Sequence, residues 1–159
     1  MKIADLATCP DTITKLAHWH FTEWGHLYPD ETQADFENEL RQSLNPDIIP
    51  ATFVMVENDA VIGSISLLAQ DMPPNQQLTP WLANLYVHPR HRGKGVGKQL
   101  IAHLVAYCQQ RGLATLYLFT PHDRQYYQGQ GWQQVTRTRY HGEDVDIMRK
   151  SLLNAEHCH

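Results

Sequence analysis

Arg92-Gly93-Lys94-Gly95-Val96-Gly97 stands between an apolar, β-like run from Trp81 to Val87 and an amphipathic helical pattern that begins near Gly95, so a glycine-rich turn opens a helix. Glycines let a backbone approach an anion with no Cβ in the way, and the first amides of a helix lack internal partners. The helix dipole adds positive potential at the same place. Arg90, Arg92, Lys94 and Lys98 surround the turn, and four cations so close repel one another unless an anion offsets them. The chain as a whole carries a formal net charge of −4 at pH 7, so this cluster is a local exception. The chemistry that suits it best is capture of a pyrophosphate-bearing ligand.

Counting positions eliminates two common phosphate binders. A P-loop needs four residues between its glycines and then Lys-Ser/Thr. Gly93 and Gly97 enclose three, and Lys98 is followed by Gln99, which leaves no hydroxyl for magnesium. A dinucleotide fingerprint needs a third glycine, where this chain has Lys98 or Leu100, and it normally opens its fold instead of following a long N-terminal stretch.

The elements that must hold the turn alternate along the chain. Lys2 to Leu6 reads as a short strand, and Asp11 or Thr12 can cap a helix carrying Ile13, Leu16, Ala17, His20 and Trp24 on one face. A second helix, Thr32 to Leu44, has Phe36, Leu40 and Leu44 on one stripe, pairs Glu37 with Arg41, and ends at Asn45-Pro46. Thr52 to Val56 and Val61 to Leu68 form a hairpin across Glu57-Asn58-Asp59-Ala60. Asp71 to Pro80 is a proline-rich loop, and Trp81 to Val87 is a central strand. After the glycine turn, Leu100, Ile101, Leu104, Val105 and Cys108 share one helix face, and Arg111-Gly112 stops the helix. Leu113 to Phe119 reads as a strand covered on both faces, parallel to the previous one or near it. Asp123 to Gln128 is a short helix, and Gln133 to Tyr140 and Val145 to Lys150 are strands joined by His141-Gly142-Glu143-Asp144. Asn154 to His159 is expected to be a mobile tail.

Composition excludes several classes. At 159 residues one domain spanning 1–159 is expected, with no linker composition inside it. No apolar stretch reaches the roughly 20 residues a membrane span needs, and Asp5 and Asp11 interrupt any signal-like N-terminus. The expectation is a soluble, cytoplasmic protein with no membrane partner. The acidic balance argues against nucleic acid and favours a cationic substrate. Cys9, Cys108 and Cys158 match neither a disulfide framework nor a zinc pattern and read as free thiols. Ten histidines invite a metal reading, but His18 and His20 diverge on their helix, and His157-Cys158-His159 lies in the tail, so no metal is expected. Cys108 continues an apolar stripe and reads as core.

Two segments in order carry a resemblance to a known family. Arg92, Gly95 and Gly97 match the Arg/Gln-x-x-Gly-x-Gly/Ala motif of the GNAT acetyltransferases, and Leu85-Tyr86-Val87-His88-Pro89 looks like that family's fourth strand and its exit. Tyr126-Tyr127-Gln128-Gly129-Gln130-Gly131-Trp132 is similar to its Phe-Tyr-x-x-x-Gly-Phe segment. The likeness runs from about Val61 to Leu152. One departure is Thr120, where many members carry an asparagine that touches the cofactor.

The resemblance implies acetyl-CoA as co-substrate. It assigns the backbone of Arg92, Gly93, Lys94, Gly95, Val96 and Gly97, with Lys98, to the pyrophosphate. It places the main chain of Leu85, Tyr86 and Val87 along the pantetheine arm, with the Val87 amide toward the thioester carbonyl. Thr120 and Tyr127 would lie near the reacting end, and Tyr127 would protonate the leaving thiolate. By spacing alone Tyr127 reads first as a packed aromatic, and it is the resemblance that favours the acid role; its neighbour Tyr126 is expected to pack inward, since adjacent helical residues do not share a face.

The base stays open at this stage. An attacking amine is mostly protonated at neutral pH and must lose a proton. Glu23 and His26 at the end of the first helix, Asp30 and Glu31 after it, Asp71 after the third strand, and Tyr86 or His88 on the fourth are the candidates. Trp19, Trp24, Tyr28 and Trp81 are either an apolar acceptor pocket or core.

The expected fold is α/β (α+β): a mixed, mostly antiparallel twisted sheet of about seven strands flanked by about four helices, splayed at strands four and five. The expected activity is direct acetyl transfer from acetyl-CoA to a primary amine, on a small molecule or on a protein or peptide. The alternatives are a non-catalytic acyl-CoA-binding domain and an enzyme using a longer acyl donor. A homodimer is compatible with the family.

Overall fold

A computed structural model describes residues 1–45, 47–71 and 77–153. The expected tail from Asn154, Pro46 at the end of the second helix, and the centre of the proline-rich loop lie outside the described residues. Seven strands form one sheet: β1 (Lys2–Asp5), β2 (Ala51–Glu57), β3 (Ala60–Leu68), β4 (Trp81–Val87), β5 (Thr115–Thr120), β6 (Gln133–Tyr140) and β7 (Glu143–Ser151). Their order is β1-β2-β3-β4-β5-β7-β6, and every neighbour pair is antiparallel except β4 and β5. Among the described residues four α-helices flank it: α1 (Ile13–Trp24), α2 (Gln33–Arg41), α3 (Val96–Gln110) and α4 (Arg124–Gln128). No helix among the described residues is long and apolar enough to cross a membrane.

The two faces of the sheet carry separate clusters. On one, Leu100, Ile101, Leu104 and Cys108 of α3 pack on Phe53, Met55, Ile65, Leu67, Leu116 and Met148. On the other, Ile13, Leu16 and Ala17 of α1 and Phe36 and Leu40 of α2 cover Val54 and Val61. Each buried aliphatic side chain contributes about 2 kcal/mol relative to exposure, so α1 and α2 are held by the stripes their spacing announces.

Turn chemistry explains most differences from the expected boundaries. Asn58 and Asp59 both adopt positive φ, as do His141 and Gly142, the geometry of two-residue type I′ turns that lets strands pair up to the loop. The polar tetrapeptides expected as connections therefore shrink to two residues each. The second helix is shorter than expected, Gln33 to Arg41, and starts with a capping box between Thr32 and Asp35. Thr12 precedes α1 without capping it, because its hydroxyl donates to Cys9 O at 2.9 Å. β5 is not covered on both faces. Leu116, Leu118 and Thr120 are buried while Tyr117 and Phe119 are partly exposed, because the face away from α3 opens into a cleft.

Gly63 sits at a close approach of two strands and a helix. A Cβ there would stand 2.8 Å from Tyr86 O and 3.3 Å from Leu100 Cδ1, so β3, β4 and α3 meet over a residue without a side chain. Gly63→Ala is expected to lower stability by roughly 1–3 kcal/mol through forced separation of these elements. A urea midpoint unchanged from wild type would show that the strands give way freely.

Candidate active site

β4 and β5 run side by side but share one paired position, Trp81 with Tyr117. Beyond it the strands part, and a gap opens toward the C-terminal end of β4. On the opposite edge, His88 N–H donates to Ile62 O at 2.8 Å, and because ladder amides alternate, that of Val87 is directed into the gap.

β4 leads into the glycine turn through a 3-10 turn at Pro89–His91. Gly95 is the N-cap of α3 at φ 80°, a left-handed conformation that suits glycine, with no side-chain cap and no acidic residue in the first turn. Arg92 N–H donates to Pro89 O at 3.4 Å, and the next helical donor to find an acceptor is Gln99, to Gly95 O at 3.0 Å. Between them, the amides of Gly93 to Lys98 have no acceptor among the described residues. Nothing lies within 4 Å of a Cβ built at Gly93 or Gly95. The result is an open concave run of donors at a helix N-terminus, rimmed by the exposed side chains of Arg90, Lys94 and Lys98. Arg92 takes another role. Its Nε donates to Val87 O at 2.7 Å, its guanidinium lies 5.6 Å from the Tyr86 ring, and it faces Glu23 at 3.8 Å.

On the far side of the gap lies a cleft of about 660 Å³. Leu85, Thr120 and Tyr127 line it, as do the rings of Trp24, Tyr28, Tyr140 and His141. Five carboxylates line it, Glu31, Glu39, Asp71, Asp123 and Glu143, with no lysine or arginine among the described lining residues. Burial, and then the charge of Glu39, pushes the Asp71 carboxyl up to about 7. Burial also raises that of Glu39, opposed by a hydrogen bond from Asn84 Nδ2 at 3.4 Å. A neighbouring like charge disfavours ionisation further: that of Glu39 acts on Asp71, and that of Glu31 on Glu39.

Tyr127 is buried against Trp132, with ring centroids 5.8 Å apart, and burial raises its pKa above the usual tyrosine value, with the charge of Asp123 second. The phenol therefore stays protonated through neutral pH. Tyr126 does not pack inward. It is 47% exposed, because the face of α4 that looks into the cleft is the one carrying Tyr127. Thr120 is buried, and its hydroxyl oxygen accepts from Asp123 N at 3.1 Å, which fixes the entry to α4.

Of the seven candidate bases, only Asp71 and Glu31 line the cleft. Glu23 sits beside Arg92, and His26 and Asp30 are exposed outside the cleft. Tyr86 is buried against Trp19, His20 and Trp24, and His88 packs on Trp19 while its Nδ1 accepts from Arg90 N. Glu39, absent from those candidates, borders the α2 stripe between Phe36 and Leu40. A carboxylate at the edge of an apolar stripe was the available signal. Among the aromatics, Trp24 and Tyr28 line the cleft, whereas Trp81 is fully buried with Val145 and Ile147. Cys108 is core, and burial pushes its thiol up to about 11.

A sequence profile described as the acetyltransferase (GNAT) family matches residues 13–132. The chain belongs to the GNAT acetyltransferase family. The structure agrees with GNAT architecture beyond that profile. An aminoglycoside 6'-N-acetyltransferase solved with coenzyme A superposes with a TM-score of 0.77 at 18% identity, over 97% of this chain and 98% of that one. The aminoglycoside 6'-N-acetyltransferase from Enterococcus faecium gives 0.74 at 18% identity over 97% and 98%. The ribosomal-protein-S18-alanine N-acetyltransferase from Escherichia coli gives 0.67 at 22% identity over 97% and 95%. In sequence, the streptothricin acetyltransferase of Streptomyces lavendulae is 30% identical over 92 residues. That match takes in 58% of this chain and 46% of the relative, so the chain spans about half the length of this curated relative.

Proposed function

We propose that the protein transfers an acetyl group from acetyl-CoA to a primary amine of a small, cationic molecule. The observation that carries this reading is that β4 borders three features: free amides from Gly93 to Lys98 after its end, the gap between it and β5, and an acid-lined cleft whose lining includes its Leu82 to Leu85. A long ligand with a diphosphate at one end and a thioester at the other matches the first two. The backbone run from Gly93 to Lys98 would hold the diphosphate, and the β4 edge at Leu85 and Val87 would hold the pantetheine arm. The relatives named above include an aminoglycoside 6'-N-acetyltransferase and a streptothricin acetyltransferase, which supports a small-molecule acceptor.

Each step has a residue in reach of the cleft. The carboxylates draw an ammonium group in and orient it, and Asp71 takes a proton from it, leaving the free amine. The amine nitrogen bonds to the thioester carbonyl carbon while the Val87 amide supports the charge developing on the oxygen. As the C–S bond breaks, Tyr127 gives its phenolic proton to the leaving sulfur. The nitrogen, cationic after attack, gives its second proton through solvent to the Tyr127 phenolate, and Asp71 releases the first to solvent, which restores both groups.

The direct test is release of free CoA thiol over a panel of monoamines, diamines and aminoglycosides, with calorimetry of CoA binding alongside. Turnover with amines and binding are expected together. Binding with no turnover on any amine would point to the non-catalytic alternative, and preference among acyl-CoAs would decide the donor. Tyr127→Phe is expected to lower kcat about tenfold or more with CoA affinity unchanged, since only the proton donor is lost. Unaltered turnover would remove Tyr127 from the mechanism.

A further inference from the structure

Opposite Ile65 the ladder between β3 and β4 slips: Ser64 pairs with Tyr86 but Ser66 pairs with Ala83, which leaves two β4 residues, Asn84 and Leu85, facing one. This is a β-bulge. Asn84 adopts φ 53°, uncommon for a residue with a side chain. A bulge placed two to three residues before Val87 determines where the Val87 amide points.

The bulge is tied from outside the ladder. The Ser64 hydroxyl donates to Asn84 O at 2.9 Å, and His20 Nε2 lies 2.9 Å from Ser64 Oγ. Ser64 has one proton, and the carbonyl only accepts, so His20 Nε2 carries the hydrogen and donates to Ser64 Oγ. Ser64 is fully buried and His20 is 1% exposed, reached from α1 on the opposite layer. The His20 ring is gripped by Trp24 and Tyr86 at centroid distances of 5.1 and 6.0 Å. Nothing in acetyl transfer requires these groups to touch substrate, yet a buried histidine, serine and bulge carbonyl in one chain of hydrogen bonds is a costly arrangement to keep without a task.

We propose that His20 and Ser64 are positioning residues, whose hydrogen-bonded relay from His20 Nε2 through Ser64 Oγ to Asn84 O locks the β4 bulge so that the Val87 amide faces the gap between β4 and β5. The catalytic consequence rests on the acetyltransferase reading; the geometric one does not. Asn84 extends the lock to the acceptor side, because its side chain donates to Ser66 Oγ at 3.2 Å as well as to Glu39.

Ser64→Ala removes the relay's centre and His20→Leu removes its donor at similar volume, while His20→Gln keeps a neutral N–H donor. Ser64→Ala and His20→Leu are expected to lower kcat about tenfold, with the CoA dissociation constant changed less than about threefold because the diphosphate seat lies beyond the bulge. His20→Gln is expected to retain most of the wild-type kcat. Ile13→Val, a core change on the same helix, is the reference for simple destabilisation and should lower Tm with kcat unchanged. In the free proteins, amide resonances of Asn84 to Val87 are expected to move in Ser64→Ala and stay in Ile13→Val. This readout stands even if wild type acetylates no amine in the panel. If Ser64→Ala does not fold, His20→Leu against His20→Gln makes the same comparison. The proposal is overturned by Val87 resonances that do not move, by kcat within twofold of wild type in Ser64→Ala, or by equal loss in His20→Leu and His20→Gln.

Discussion

Gly95→Asp is expected to weaken binding of acetyl-CoA by two orders of magnitude or more while the protein stays folded. Gly95 caps α3 at φ 80° with open space around its Cβ position. Aspartate enters left-handed backbone more readily than most residues, so the strain is modest. Its carboxylate would stand where the diphosphate is expected and compete for the same unpartnered amides, opposing the ligand's charge with its own. Calorimetry with CoA reads the affinity, and a thermal melt confirms the fold. Affinity within a few-fold of wild type would mean that the diphosphate is held elsewhere, and the functional reading built on the turn would go with it.

Asp71→Asn is expected to lower kcat/KM for an amine acceptor about a hundredfold and to remove the acid limb of its pH profile. Burial, with Glu39 second, raises the Asp71 carboxyl to about 7, so below that pH the group holds its proton and accepts none from the acceptor. Wild-type activity should rise with pH through about 7. Because the acceptor's own ammonium also titrates, the ratio of wild-type to variant profiles isolates the carboxyl. Stability moves in the opposite direction. A carboxyl raised in the folded state costs stability that accumulates as pH rises from the unfolded value near 4 to about 7, and is complete above it. Asp71→Asn should therefore melt higher than wild type above pH 7, with little difference below pH 4. Two profiles that superimpose after scaling would assign the base elsewhere, with Glu39 as the next carboxylate in the cleft.

The split between what was legible and what was not follows the range of the interactions. Strands and helices were legible because their apolar periodicity is local: Ile13, Leu16, Ala17 and His20 point one way on α1 whatever they pack against. Boundaries moved where a turn type decided them, as at Asn58-Asp59 and His141-Gly142. The run of donors proposed to seat the diphosphate was legible for the same reason as the helices, since a glycine turn, a helix start and the unpaired amides between them occupy consecutive positions. The cleft was not. Glu39 on α2 and Asp71 after β3 meet Tyr127 on α4 only through tertiary packing, and each by itself reads as an ordinary surface residue. Tyr126 turned outward, against expectation, because which residue of a five-residue helix is buried depends on what lies across from it.

Sequence alone determined the phosphate-type turn, the alternation of elements and the family likeness, all properties of residues adjacent in the chain or one helical turn apart. Tertiary structure decided that β4 and β5 part after a single pair, that five carboxylates, with no lysine or arginine among the described lining residues, line the space beyond, and that a buried histidine and serine from two layers hold the β4 bulge. The physical reason is that electrostatic environment and hydrogen-bond geometry depend on distances in space. Residues such as His20, Ser64 and Asn84 acquire a joint role only when packing brings Ser64 within 3 Å of both the others.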